Sequence, residues 1–272
     1  MKDFSVSPLL LFKSLLTNRS LVHTLILREV TGRYKGSVFG MLWSFFNPVL
    51  MLVIYTFVFS IVFNARWGGG SESKSEFALI LFAGLIVFNF FVECFNRAPT
   101  LILSNTNYVK KVVFPLELLP MINMGAALFN TIISIAVWIV FYFIDVGTLN
   151  LSILQLPLVL IPLCLMTMGV SWILSSLGVF IRDVTQFVGL LSTVIMFLSP
   201  IFYPASAIPE KYQIFLNLNP LSIPISQMRD ILYWGNFLDA QAYIQYFMFS
   251  AVFAWCGYFW FQKTRKGFAD VL

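Results

Sequence analysis

Chemically reactive side chains are scarce in this sequence. The 272 residues include one histidine, His23, and three cysteines, Cys94, Cys164 and Cys256. A single histidine excludes His-based metal clusters and acid–base pairs that need two imidazoles. The cysteines are odd in number and lie in apolar segments, which predicts small core residues rather than a disulfide framework. We therefore expect no catalytic residue and no metal site in this chain.

Nucleotide-binding motifs are missing as well. The sequence contains no GxxxxGK[ST] element. The chain alone therefore cannot bind ATP through a P-loop, and we expect no cofactor in it. If transport is active here, the energy source is expected to belong to another polypeptide.

Charged residues are also few. Only 11% of the residues are charged and 59% are hydrophobic, whereas soluble domains average about 25% charged and roughly 45–50% apolar residues. This composition predicts an integral membrane protein. One marginal acid in an apolar run, Glu93, and the lack of a convincing internal repeat argue against a secondary transporter.

Apolar runs predict an all-α fold of six transmembrane helices in a single transmembrane domain, residues 1–272. The runs cover residues 42–63, 77–95, 118–144, 153–180, 187–202 and 243–261. The first run carries no charge, and as a helix it would reach roughly 33 Å, enough to cross a hydrocarbon core of about 30 Å. The fifth run is short for a full crossing.

The residues before the first run predict an amphipathic helix that lies on the membrane surface. Apolar and charged side chains recur there at helical spacing. The apolar positions are Val22, Ile26, Val30 and Tyr34, and the charged positions are Arg28, Glu29, Arg33 and Lys35. We expect residues 1–41 to form a cytoplasmic amphipathic segment that leads directly into the first span.

Two patterns inside the spans predict local contacts. Glu93 and Arg97 stand four residues apart in the stabilising order, which predicts an ion pair at a helix end. Small residues recur at three- and four-residue spacing in the fourth span, which predicts a packing face rather than a substrate site. They are Gly169, Ser171, Ser175, Ser176 and Gly178.

Residues 203–242 are too long for a simple loop and too often interrupted by proline for a span. We expect short helices that dip back into the bilayer there and form an extracytoplasmic gate region. With six spans, lysine and arginine concentrate on the side that holds both termini and the connector after Arg97. Both termini are therefore expected in the cytoplasm.

Four motifs, in this order along the chain, resemble a known family. They are RYKGSVFGMLWSFFNPV (33–49), NYVKKVVFPLELLP (107–120), SPIFYPASAIPE with NLNPL (199–221) and KGFADVL (266–272). The chain resembles the membrane subunits of ABC-2-type polysaccharide exporters. The likeness is greatest to the Wzm-type permease of O-antigen export, with capsule and teichoic-acid exporters as near relatives. Tyr108 departs from the family pattern, where an aliphatic residue is expected.

The resemblance implies the fold of type V exporters and a permease that is not itself an enzyme. It implies a homodimer joined to two copies of a separate ABC ATPase, which holds ATP and Mg²⁺. The setting is the bacterial cytoplasmic (inner) membrane. The implied substrate is a polyprenyl-pyrophosphate-linked polysaccharide moved from cytoplasm to periplasm, and no nucleic acid is expected. Since one bulky six-helix chain has little room for a polymer, a twofold pair would offer the channel at its interface.

The residues alone leave other classes open. One is a channel or secondary transporter that works without an ATPase. Another is a membrane-bound glycan or acyl transferase, against which the missing acid–base cluster already counts.

The resemblance also implies that the ATPase pushes on the connector between the second and third spans. The contact candidates are Asn107, Tyr108, Lys110, Lys111, Pro115 and Glu117. Alternatively, Lys110 and Lys111 only contribute to the excess of positive charge that cytoplasmic segments carry.

Two further sets are candidates for substrate contact. Paired cations with a phenol suit the headgroup of a lipid pyrophosphate at the cytoplasmic face, although general attraction to anionic lipids explains the same residues. That headgroup set is Arg28, Arg33, Tyr34 and Lys35.

Aromatic rings can contact the apolar faces of sugars and close a pore to ions, although most of them are expected to face lipid or core. The candidates for lining the channel are Trp43, Phe46, Tyr55, Phe59, Phe197, Phe202 and Tyr203.

Overall fold

The computed structural model describes residues 6–63, 67, 75–110 and 114–272. Within these residues the chain is helical and contains no β-strand, as the apolar runs predict. The principal helices are α1 (Pro8–Thr17), α2 (Arg19–Tyr34), α3 (Trp43–Tyr55), α4 (Glu76–Arg97), α5 (Thr106–Lys110), α6 (Leu118–Val146), α7 (Leu156–Phe180), α8 (Val184–Leu198), α9 (Gln213–Leu218), α10 (Ser222–Arg229), α11 (Ala240–Thr264) and α12 (Phe268–Val271). Segments of π-helix, Thr56–Val62 and Asp230–Trp234, continue α3 and α10.

Five helical segments of the described residues are long and apolar enough to cross a membrane. They are Gly40–Phe59, Glu76–Thr100, Leu118–Val146, Leu151–Phe180 and Ala240–Val271, and each coincides with a predicted run. The remaining run, 187–202, corresponds to α8. This helix has 15 residues, so its length of roughly 22 Å is less than the thickness of a hydrocarbon core.

Helix α4 lies at the centre of the bundle and is buried along most of its length. Such a helix, apolar all round, is typical of a bundle core. Helices α6, α7, α8 and α10 pack around it. The indole of Trp138 on α6 donates a hydrogen bond of 2.8 Å to the backbone oxygen of Leu79 on α4, which satisfies the one polar atom of a fully buried ring.

Small residues allow α7 to approach its neighbours closely, which confirms the predicted packing face. A Cβ atom added to Gly257 of α11 would lie 2.3 Å from the backbone oxygen of Gly169. One added to Gly178 would lie 2.0 Å from the backbone oxygen of Pro99. At each of these two contacts the backbone of α7 therefore touches the neighbouring backbone without a side chain between them, as in other small-residue contacts of membrane helices.

The two ends of the bundle hold different elements. At one end, Val22 and Leu25 of α2 share a buried apolar cluster with Phe261 and Phe268; we call it the α2 end. Helices α9 and α10 lie at the opposite end, the α10 end, where Ser152 donates a 2.6 Å hydrogen bond to the backbone oxygen of Ile231. Short helices lie in residues 203–242, whereas their dip back into the bilayer stays a prediction.

The apolar face of α2 is covered by protein. Val22, Leu25 and Val30 are buried, and a Cβ atom added to Gly125 of α6 would lie 2.4 Å from the side chain of Ile26. The predicted apolar positions are thus the ones that pack. Their partners include α6, and the contact of α2 with the membrane surface stays a prediction.

The cysteines differ from one another in exposure. Cys94 is buried and Cys164 is half-buried, but Cys256 is exposed. On α11 it is the neighbouring residue, Gly257, that faces α7, so the side chain of Cys256 is directed elsewhere. The prediction of a core position was therefore wrong for Cys256.

Candidate functional site

A network of four charged residues joins α2 to the end of α4. Arg33 forms an ion pair with Glu93 and lies 3.7 Å from Glu29, and Arg97 pairs with Glu29. The predicted pair between Glu93 and Arg97 is replaced by two pairs across helices. The physical reason is that α2 lies alongside α4 and offers each residue an opposite charge at closer range.

Helix α6 adds a polar group to the same network. The amide nitrogen of Asn130 lies 3.3 Å from each carboxylate oxygen of Glu93, and its amide oxygen accepts a 3.4 Å hydrogen bond from Tyr34. Burial raises the pKa of Tyr34 more than any neighbouring charge changes it. Two of the four headgroup candidates, Arg33 and Tyr34, thus face into the bundle.

The other two headgroup candidates, Arg28 and Lys35, are exposed. Arg28 donates a 3.1 Å hydrogen bond to the hydroxyl of Tyr108, which links α2 to α5. An anionic headgroup could reach Arg28 and Lys35 without breaking an ion pair, whereas access to Arg33 would compete with Glu93. The structure therefore divides the set into an exposed pair and an enclosed pair.

The predicted coupling segment is held by ring stacking and by the last residues of the chain. The ring of Tyr108 stacks on Phe114 with centroids 4.6 Å apart. Lys110 donates to the backbone oxygen of Leu272, and Asn107 is exposed. Lys111 lies outside the described residues.

Glu117 is buried behind that segment. Its carboxylate pairs with Arg265 at 2.6 Å, and Arg265 also donates to the backbone oxygen of Phe114 at 3.2 Å. The indole of Trp172 donates to the backbone oxygen of Glu117 at 3.1 Å. Glu117 thus fixes the connector against α7 and the C-terminal residues, while Pro115, half-buried, begins the turn into α6.

The aromatic channel candidates fall into two separate groups. Trp43 and Phe46 both contact Phe39, with centroids 5.5 and 5.8 Å away. The second group, near the α10 end, is Tyr55, Phe59, Phe197, Phe202 and Tyr203. There Phe59 links Tyr55 to Phe202, each 6.3 Å away, and Phe202 lies 6.3 Å from Phe197. Tyr203 donates a 2.8 Å hydrogen bond to the backbone oxygen of Phe197.

Arg229 is a prominent polar residue that the sequence reasoning did not single out. It is 5% exposed and donates to the backbone oxygens of Ile80, Pro200 and Ile201 at 3.1, 2.6 and 2.7 Å. Burial lowers its pKa to about 10, so it remains charged at neutral pH. Arg229 stands four residues after the apolar residue Ile225 on the same helix, and this spacing is the sequence signal that could have indicated its burial.

In the described ranges, His, Cys, Asp and Glu side chains form no group of three or more that could hold a metal ion. The functional candidates are instead a charged network at the α2 end, a connector beside it and aromatic rings at both ends.

Comparison with known families decides the class. The model of the ABC-2 type transporter family matches residues 20–233, which is more than half of the chain. The chain belongs to the ABC-2 type transporter family. The matched range includes the charged network, the connector and Arg229, so all the candidate positions described above except Leu272 and Arg265 lie within it.

Named relatives of this ABC-2 transporter extend over most of its length. The O-antigen export system permease protein RfbA of Klebsiella pneumoniae is 30% identical over 246 residues, covering 90% of this chain and 92% of the relative. RfbA of Myxococcus xanthus is 26% identical over 262 residues, covering 96% and 98%. The polysialic acid transport protein KpsM of Escherichia coli is 26% identical over 244 residues, covering 87% and 90%.

Proposed function

We propose that this chain is the permease subunit of an ATP-driven exporter that moves a polyprenyl-pyrophosphate-linked polysaccharide, an O-antigen, from the cytoplasm to the periplasm. Two copies of the chain would form the channel and would work with two copies of a separate ABC ATPase in the bacterial inner membrane. The single observation that carries the proposal is the likeness to O-antigen export permeases, which covers about nine tenths of both chains.

The arrangement of the two ends supports six crossings with both termini on the same side of the membrane, which we propose is the cytoplasmic side. Because α2 and Phe268 share one apolar cluster, the chain between them must cross the bilayer an even number of times. Five long apolar segments leave one crossing to be supplied by α8. A helix of 15 residues could cross by local thinning of the bilayer and with help from the short helices that follow it.

The contacts of the connector support a route for coupling. Tyr108 touches α2 through Arg28, and α2 touches α4 through ion pairs. A push by the ATPase on the exposed face of α5, where Asn107 and Lys110 lie, would therefore reach the spans through α2. The ATPase would supply ATP and Mg²⁺, and this chain would supply the moving helices.

The exposure of the side chains supports headgroup binding by only two of the four residues that the sequence suggests. We assign first contact with the pyrophosphate to Arg28 and Lys35, since Arg33 already pairs with Glu93. Aromatic rings on α3 and after α8 would line the channel formed by the two copies. Among these rings, Trp43, Phe46 and Phe197 are exposed on the single chain and are available to a partner copy or to the glycan.

A gene deletion with complementation tests the proposal. We expect cells that lack this chain to lose surface glycan and to accumulate the lipid-linked polymer on the cytoplasmic side. Export should return with the wild-type chain only when the partner ATPase can hydrolyse ATP. Export by the purified chain in vesicles without any ATPase would show an independent channel or secondary transporter and would overturn the proposal.

A capsular polymer is the second candidate substrate, because two relatives are named polysialic acid transport proteins. The same deletion strain distinguishes the two. Loss of the lipopolysaccharide side chain indicates O-antigen, whereas loss of the capsule with an intact side chain indicates a capsular glycan.

A further inference from the structure

A cavity of about 670 Å³, with both polar and apolar side chains in its walls, opens at the α10 end. Its walls come from the segment after α8, from α9 and α10, and from the start of α11. None of the residues assigned above to the channel, the headgroup or the coupling segment lines it. Its volume is within the roughly 300–1,000 Å³ that ligand sites usually have.

The lining combines hydrogen-bond donors and acceptors without a cation. Side-chain amides come from Gln213, Asn217 and Gln227, and hydroxyls come from Ser222 and Ser226. The residues that the structure shows at its walls include no lysine, arginine or histidine. A phosphate or another anion would therefore find no countercharge here.

Gln227 provides the observation that points to a ligand. Its side chain is buried, with the residue only 6% exposed, yet neither its amide nitrogen nor its amide oxygen has a hydrogen-bond partner among the described residues. The hydroxyl of Ser222 is also buried and has no hydrogen-bond partner among the described residues. Burying an amide without a partner costs free energy, so this group is expected to gain its partner from something that enters the cavity.

The carboxylates at the cavity already have partners, which disfavours a metal ion. Asp239 accepts a 3.1 Å hydrogen bond from the backbone nitrogen of Gln241 as the cap of α11. Asp230 is hydrogen-bonded by the side chain of Asn236. Apolar side chains complete the walls, among them Leu216. Uncharged amides and hydroxyls beside apolar surface match the hydroxyls and C–H faces of a neutral sugar.

We propose that this cavity binds a short, uncharged stretch of the exported glycan as the polymer emerges at the α10 end. The inference rests on the proposed function, because it takes its ligand from the polymer that the chain is proposed to export. A sugar hydroxyl that enters the cavity beside Gln227 would supply the hydrogen-bond partner that its buried amide lacks.

Binding of oligosaccharides to the full-length chain in lipid nanodiscs tests the inference. The probe is the mixture of short oligosaccharides released by mild acid from the producing cell's own surface glycan, with saturation-transfer NMR and calorimetric titration as readouts. We expect Gln227→Leu to weaken binding at least tenfold. Its thermal midpoint should not fall, since leucine replaces an amide that has no protein partner.

Two further variants complete the design. Ser226→Trp should fill the cavity from an exposed position and weaken binding to a similar degree. Gln186→Leu makes the same chemical change as the first variant at an exposed position at the start of α8, and it should bind as the wild type does.

The inference is overturned if the wild-type chain binds none of the oligosaccharides, or if Gln227→Leu and Ser226→Trp both bind like the wild type. Binding of calcium chloride alone, without sugar, would reassign the cavity to a cation. These failures are distinct from failure of the proposed function, because export in the deletion strain is measured separately. Cells that need the chain for export while the cavity binds no sugar would remove this inference alone.

Discussion

Arg229 illustrates what a buried cation requires. Its guanidinium donates to three backbone oxygens rather than to a carboxylate, and it lies 4.4 Å from the ring centroid of Trp67. A Cβ atom on Gly84 would come within 3.0 Å of it, so the site is closed on the α4 side. The residue thus ties α10 to α4 and to the segment after α8.

We expect Arg229→Leu to lower the free energy of unfolding by about 3 kcal/mol or more, since the change leaves buried carbonyl oxygens without donors. Unfolding of the purified protein by SDS or by heat, followed by circular dichroism, measures the loss. Lys211→Leu, at an exposed position, is the matched control and should change stability little. Equal stability of the two variants would contradict this account.

The pairing of Arg33 with Glu93 predicts a charge-swap result. Arg33→Glu and Glu93→Arg should each destabilise the protein, because each places like charges side by side in a half-buried position. The double variant should recover part of the loss, with a coupling free energy of about 1–3 kcal/mol. A double-mutant cycle from unfolding measurements gives this value, and strictly additive effects would show that the two residues do not interact.

Burial was predictable from helical spacing on α2 but not for Cys256, and long-range partners were not predictable. Helical spacing correctly placed Val22 and Val30 on a packed face. Spacing within one helix could pair Glu93 only with Arg97, but the actual partner, Arg33, stands on another helix. The acceptors of Arg229 are likewise distant in sequence, and no local pattern encodes them.

The contact between α7 and α11 depends on glycine. We expect Gly257→Ala to destabilise the protein by about 1–3 kcal/mol, because its Cβ would lie 2.3 Å from a backbone oxygen of α7 and the helices would have to separate. Gly189→Ala in α8, where nothing lies within 4 Å, is the control and should be neutral or slightly stabilising. Thermal unfolding of both variants checks this, and a Gly257→Ala protein as stable as the control would disprove the close contact.

Elements with long uninterrupted apolar runs were predictable from the sequence, because length and composition decide them locally. Helix α8 was recognised and was expected to be short, and it ends before Ser199 and Pro200. The position of α2 depends on α6, because the missing side chain at Gly125 leaves room for the side chain of Ile26. Such docking requires two distant surfaces to match, and periodicity describes only one of them.

The topology proposed for the whole molecule predicts a labelling pattern. In a background without cysteine, we expect Ser37→Cys and Asp270→Cys to react with a membrane-impermeant maleimide only after the inner membrane is opened. Ile214→Cys, exposed on α9, should react from the periplasmic side in intact spheroplasts. Reaction of Asp270→Cys from outside while Ser37→Cys stays protected would mean an odd number of crossings and would overturn the six-span arrangement.

The shared apolar cluster of α2 and α12 also has a consequence for biosynthesis. Val22 and Leu25 are translated long before their contact Phe268. The α2 end of the nascent protein therefore stays incomplete until Phe268 has been added. A product that terminates before Phe268 would keep apolar residues uncovered there, which would make it recognisable to membrane-bound quality-control proteases.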